Sequence, residues 1–259
     1  MRADVYLVAN GFCESRNKAA QSIDGGLLYV NGKNVTKCSF SISDTDKVEL
    51  KGEIMPYVGR GGLKLAGAIE AFKFDVSGTV CADIGASTGG FTDCLLKHGA
   101  KKVFAIENGN GQLHPSLLND GRVVSIENFN AKLLTPEILG QKCDLAVMDV
   151  SFVSQTHLHG AVASVLRDGA SLISLIKPQF EVGKAYIGRG GIVKDPKAHV
   201  LAIENTVASA RCFDLALIDI IPSPIRGGDG NREYIALFTH SAEPKINLTK
   251  DFLKKLTQS

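Results

Sequence analysis

From Leu63 onward the chain alternates short apolar runs with stretches of helical spacing, and this alternation narrows the possible folds more than any other feature. TVCADIG, KKVFAIE, DLAVMDV, SLISLIK, ALIDIIP and REYIALFTH are the apolar runs, while LKLAGAIEAF, GGFTDCLLKHG and HVLAIENTVASARCF carry the helical period. Short Val- and Ile-rich runs set between helices read as buried strands of a mainly parallel sheet. The expected fold class is therefore α/β, a doubly wound sheet with helices on both faces. Only SPIRGGDGN separates the last two strands, which are expected to pair antiparallel at the sheet's edge.

The opening fifty-odd residues have a different texture. ESRNKAAQSI has helical spacing with Ala19, Ala20 and Ile23 on one face, Ser15 as candidate cap and Gly25-Gly26 as the stop. LLYVNGKNV reads as a hairpin around Asn-Gly, and DKVEL as a further strand. The expected organisation is a small α+β module over 1–53, a linker over 54–62 marked by Pro56 and glycines, the sheet domain over 63–245 and a tail over 246–259.

Composition, with 44% hydrophobic and 22% charged residues, is that of an ordinary globular protein. No apolar run approaches the roughly 20 residues of a membrane span. MRADVYLVANGFCESRNKAA lacks the unbroken apolar core of a signal peptide, so a cytoplasmic location is expected. A net charge of +2 neither announces nor excludes a nucleic-acid partner, because binding depends on local patches. The six cysteines form no C-x-x-C pair and are read as small hydrophobes. His157 and His159 in THLHG have no third ligand nearby, so no metal is expected.

In open α/β sheets ligands bind outside the carboxyl ends of the strands. The first strand delivers DIGASTGGFTD there, in which Gly85 and Gly89-Gly90 let backbone approach a ligand and open a helix. It is neither G-x-G-x-x-G nor a P-loop. Glu107, at the end of the next strand, is placed to accept hydrogen bonds from a ribose. A nucleoside cofactor without a pyrophosphate fits this pattern, with S-adenosylmethionine as the candidate; a generic tight βα turn is the alternative. Further strands deliver Asp149 in LAVMDVSF, Lys177 in LISLIKPQF and Glu233 in GNREY, and Lys64 follows GRGG. Two lysines and two acids over one sheet edge suit abstraction of a ribose 2′-hydroxyl proton by a neutral amine. Solvated ion pairs remain the competing reading.

YVGRGGLKL, DIGASTGGFTD, MDVSFVS, LIKPQFEVG, GGIVKDPKAH and PSPIRGGDGNREY together resemble the TlyA family of ribosomal-RNA 2′-O-methyltransferases, and the amino-terminal module resembles an S4 RNA-binding domain. The resemblance implies a Rossmann-like, S-adenosylmethionine-dependent methyltransferase sheet of the FtsJ-like type. Lys64, Asp149, Lys177 and Glu233 would be its catalytic set, with Lys177 as general base. Asp83, Gly85, Ala86, Ser87, Thr88, Gly89, Gly90, Phe91 and Glu107 would hold the cofactor. After the third strand the family tends to have an acid followed by Arg-Thr-Asn; IENFNAK keeps Glu127 but has Asn128 next, so the adenine side differs in detail. Arg2, Ser15, Arg16, Lys18, Asn31 and Lys37 would face RNA. The implied substrate is cytidine in large-subunit 23S RNA, with small-subunit 16S RNA left open, and the implied partners are ribosomal RNA and ribosomal subunits, with no membrane and no metal. Two rivals stand beside this: a non-catalytic RNA-binding protein that keeps the fold, and the membrane lysis suggested by the family's older label, hemolysin. Against lysis, the chain has no basic amphipathic helix long enough to insert.

Overall fold

The computed structural model describes residues 1–24, 26–52 and 55–258. Its backbone divides into two compact units, Met1–Pro56 and Tyr57–Ser259.

In the first unit, helices α1 (Ala3–Ala9) and α2 (Arg16–Asp24) pack with a sheet of β1 (Leu28–Val30), β2 (Lys33–Asn34) and β3 (Val48–Leu50) in the order β2-β1-β3, both pairings antiparallel. Ala19 and Ile23, one turn apart on α2, are fully buried with Leu7 and Leu28. Ser15 caps α2, its Oγ accepting from the Lys18 N–H at 3.3 Å. Gly26 has φ +73°, as a helix stop requires, whereas Gly25 lies outside the described residues. Asn31 and Gly32 turn the hairpin with φ of 50° and 77°. Helix α1 has no counterpart in the sequence reading, because ADVYLVA is apolar at nearly every position over seven residues and so shows no helical period.

The second unit is built on a seven-stranded sheet. Its elements are α3 (Gly61–Phe72), β4 (Val80–Ile84), α4 (Gly90–Lys97), β5 (Lys102–Ile106), α5 (Pro115–Leu118), β6 (Val123–Ile126), α6 (Pro136–Leu139), β7 (Cys143–Met148), α7 (His159–Val165), β8 (Leu166–Ile176), α8 (Pro178–Glu181), α9 (Pro196–Arg211), β9 (Leu215–Pro222), β10 (Tyr234–His240) and α10 (Lys250–Gln258). The order is β6-β5-β4-β7-β8-β10-β9. The first five are parallel, while β10 runs antiparallel to both neighbours. Alternate residues feed two cores: Ala82, Ala146 and Leu172 face α7 and α9, while Cys81, Leu145 and Ile173 face α3 and α4. Strand β4 lies between β5 and β7, so the chain crosses over on either side of it and opens a crevice at its carboxyl end.

Two expected boundaries move. The linker expected over 54–62 ends earlier: Tyr57 begins the second unit and α3 starts at Gly61. The Val58 N–H donates to Asp93 on α4 at 2.9 Å, a long-range bond that composition does not reveal. The expected tail over 246–259 contains α10, which buries Leu253 and Leu256, and Arg232 donates to the carbonyls of Thr257 at 3.0 Å and Leu256 at 3.3 Å. One short amphipathic helix gave too little pattern to separate it from a polar tail. Among the described residues no helix is long and apolar enough to cross a membrane.

Candidate active site

Gly85 leaves β4 with φ +83°, and a Cβ there would sit 2.8 Å from the Asp149 carbonyl oxygen, so only glycine fits. Ser87 follows in the left-handed region, its N–H donating to Glu107 Oε2 at 2.9 Å, while Gly109 N–H donates to Oε1 at 2.8 Å. Each carboxylate oxygen keeps a lone pair, so Glu107 still has capacity for two hydroxyl donors. Beside it opens a cavity of about 690 Å³ whose polar wall includes Ser87, Glu107, Asn130, Asp149 and Ser151, and whose apolar wall includes Phe129, Val150 and Leu158. An acid at one end, an apolar wall and a bare glycine backbone fit S-adenosylmethionine.

Of the expected loop, Gly85 and Ser87 reach the cavity. Ala86 and Phe91 are buried, and the Thr88 carbonyl accepts from His114 N–H at 3.1 Å. Gly89 (φ +92°) and Gly90 serve packing: a Cβ at 89 would collide with Leu117, and one at 90 would lie 3.0 Å from the Gly62 nitrogen. Asp83 is fully buried; its Oδ2 accepts from Thr92 Oγ1 at 2.7 Å, and Oδ1 has no partner. Burial pushes its carboxyl up to about 7. Glu127 and Asn128, which the resemblance places at the cofactor, are not among the residues lining the cavity. The Glu127 carboxylate accepts from the N–H groups of Gly111, Gln112 and Leu113, at 2.9, 2.9 and 3.3 Å, and so ties down a loop. The Asn128 N–H donates to Gly109 O at 2.9 Å, and the residues that line the cavity after β6 are Phe129, Asn130, Ala131 and Lys132.

The four expected catalytic residues form two pairs. Lys64, in the first turn of α3, donates to Glu233 Oε2 at 2.6 Å, both side chains nearly sealed from solvent. Lys177 Nζ lies 2.6 Å from Asp149 Oδ1, an ion pair too bent to count as a hydrogen bond, and donates to Ser151 Oγ at 2.8 Å. The pairs are neighbours. The antiparallel register of β8 and β10 ends at Tyr234↔Ile176, the residues adjacent in sequence to Glu233 and Lys177. A Cβ on Gly61, at the start of α3, would lie 3.8 Å from Asp149 Oδ2.

Ser151 and Phe152 escaped the sequence reading, although both stand in MDVSF, two and three positions after Asp149. Phe152 is 93% exposed, has φ +64° and packs against Phe180 at 5.4 Å between ring centroids. A bulky residue in that conformation costs about 1–3 kcal/mol, and such strain concentrates at functional sites.

In the first unit Arg2 and Arg16 converge on one buried acid, Asp4, at 3.0 and 2.7 Å. The Arg2 hydrogen bond first, then that of Arg16, holds the Asp4 carboxyl well below its usual range. Two largely exposed guanidiniums are thereby oriented side by side, as phosphate contacts require. Lys18 pairs with Glu14 at 2.5 Å, and Lys37 is exposed. Ser15 is engaged as the α2 cap, and Asn31 bonds Asp46 at 2.7 Å and the Lys47 N–H at 2.9 Å, so both serve the fold. His159 is buried within hydrogen-bond distance, 3.0 Å, of Ser209 Oγ.

A mostly parallel sheet with this switch point, an acid-ended cleft at its carboxyl edge and paired lysines and carboxylates beside it fit an S-adenosylmethionine-dependent methyltransferase. Residues 57–239 match the FtsJ-like methyltransferase family and residues 1–48 the S4 domain. The chain is 43% identical to "Hemolysin A" of Brachyspira hyodysenteriae, covering 92% of this chain and 99% of that protein. It is 41% identical to the "16S/23S rRNA (cytidine-2'-O)-methyltransferase TlyA" of Mycobacterium tuberculosis, covering 90% and 87%. Among solved structures, "Putative hemolysin from Streptococcus thermophilus" superposes with a TM-score of 0.78 at 36% identity, covering 99% of this chain and 94% of that one. With both domains matched in order and such relatives along nearly its whole length, the chain belongs to the TlyA family.

Proposed function

We propose that this protein methylates the ribose 2′-oxygen of a cytidine in ribosomal RNA, with 23S RNA as the first target and 16S RNA as a second. The Mycobacterium tuberculosis relative, a 16S/23S rRNA (cytidine-2'-O)-methyltransferase, supports the substrate. The observation that carries the chemistry is the Lys177 amine, held between Asp149 and Ser151, both of which line the cofactor cavity.

S-adenosylmethionine, when bound in the cleft, would supply a methyl group made electrophilic by its sulfonium sulfur; the carbon–sulfur bond breaks as the methyl carbon bonds to the 2′-oxygen, and the electron pair leaves on sulfur as a neutral thioether. Lys177 would take the proton of that hydroxyl. One of its N–H groups is given to Ser151, which orients the amine. Asp149 stabilises the ammonium that results. Lys64 and Glu233 brace α3 and the start of β10 around this pair. The exposed ring of Phe152 offers a stacking surface for an unstacked base. Arg2 and Arg16 supply phosphate contacts, which give affinity and register more than sequence choice. The partners are ribosomal subunits, with no membrane or metal required, and the place of work is the cytoplasm.

The test is transfer of labelled methyl to ribosomes and subunits from a strain lacking the enzyme, wild type beside Lys177→Ala. Label on a cytidine 2′-oxygen with wild type alone is expected. Absence of label on every particle, in a wild-type protein that binds S-adenosylmethionine, would refute the substrate assignment.

A further inference from the structure

We propose that Glu181 is a positioning residue for methyl transfer, holding the Asp149 loop against the Lys177 turn; this rests on the reading of Lys177 as the base. Two segments carry the chemistry: the loop 149–154 after β7, and the turn 177–181 that leaves β8. Three rungs join them. The first is the contact of Lys177 with Asp149 at 2.6 Å and Ser151 at 2.8 Å. The second is the Phe152–Phe180 ring pair. The third lies farthest along both segments from the reacting amine: Glu181 accepts from Ser154 Oγ at 2.5 Å and from the Gln155 N–H at 3.0 Å.

That third rung is buttressed from below. Gln155, only 1% exposed, donates to the Leu175 carbonyl at 3.2 Å and accepts from Ser174 Oγ at 2.5 Å, both on β8. Burial raises the Glu181 carboxyl above its ordinary value while its donors oppose that rise, so the two hydrogen bonds favour the ionised acceptor. The first rung alone cannot fix the loop. Lys177 must release its proton relations in every turnover, and its Asp149 contact is off hydrogen-bond angle. Phe152 meanwhile is held at φ +64°, a conformation that persists only where surroundings over-determine it. Glu181 touches no reacting atom. Its effect is transmitted through the backbone of 149–154, where displacement of about 1 Å can cost on the order of 100-fold in rate.

The experiment compares wild type with Glu181→Ala, Glu181→Gln and Ser154→Ala. The expectation for Glu181→Ala is a fall in kcat of about 10- to 100-fold, with KM for RNA and S-adenosylmethionine within about twofold. Glu181→Gln should recover part of the loss, since its amide oxygen accepts one of the two donors. Ser154→Ala removes one donor at less risk to folding and should lie between. An unchanged kcat in a folded Glu181→Ala, or a rise in KM alone, would overturn the proposal. A readout independent of substrate keeps it separate from the functional reading. The chain has no tryptophan, so Phe152→Trp places its sole tryptophan in the loop, where it can be excited apart from the tyrosines. Adding Glu181→Ala to that background should lower its anisotropy and raise its acrylamide quenching; identical signals would overturn the proposal whatever the substrate proves to be.

Discussion

Two lysine–carboxylate contacts of equal length, 2.6 Å, lie side by side at the carboxyl edge of the large sheet, one on Glu233 and one on Asp149. Their surroundings differ. Glu233 is 2% exposed and backed by Gly227, where a Cβ would lie 2.5 Å from its Oε1. Asp149 is 19% exposed and lines the cofactor cavity, and its lysine has Ser151 as a second acceptor. The sealed pair joins α3 to β10. The second pair places its carboxylate on the cavity wall. On the function proposed above, the two pairs therefore differ in role despite equal distances, the cavity-lining carboxylate marking the base and the sealed pair the brace.

Removing the base breaks the comparison most directly. Lys177→Met should lower the single-turnover rate by about 10²–10⁴-fold while the melting temperature moves little. The sealed pair should respond in stability. Lys64→Met leaves a buried carboxylate unpaired, and denaturant unfolding should show a loss of about 3–5 kcal/mol. Lys64→Met with Glu233→Leu should restore much of that stability without restoring full activity. Equal losses for the single and double variants would contradict the brace.

Asp83 sharpens the same contrast as a buried carboxylate with no lysine. Its carboxyl, raised to about 7, binds a proton more tightly in the folded chain than in the unfolded one. Its stabilising contribution is full below pH of about 4 and is lost as pH rises through about 7, with a total on the order of a few kcal/mol. Wild-type stability should thus fall across that window relative to Asp83→Asn, measured without cofactor. Parallel pH–stability curves would rule this out. The smallest effect belongs to Ser151→Ala, which deletes one hydrogen bond worth about 0.5–1.5 kcal/mol and should slow transfer roughly 3- to 10-fold.

Much of this site was legible in the chain. A lysine after an apolar run and before Pro178 can only stand at a strand end, and DIGASTGG announced a backbone approach at another. What stayed hidden was set by distant partners. Glu127 follows its strand as Glu107 follows its own and both bind loop amides, yet of the two it is Glu107 that lines the cavity. The exposure of Phe152 and the fastening of Val58 to Asp93 likewise depend on contacts between segments far apart in sequence. Helices α1 and α10 were missed because α1 is apolar at nearly every position and so shows no period, while α10 is one short stretch.

The assignment of the two lysines is tested most directly by chemical rescue. Single-turnover methyl transfer would be measured for Lys177→Ala and Lys64→Ala with added small primary amines, over a range of pH. Rate recovery in Lys177→Ala that follows the concentration of neutral amine, with none in Lys64→Ala, is the expected result. Rescue confined to Lys64→Ala would contradict the roles assigned to the open and the sealed pair.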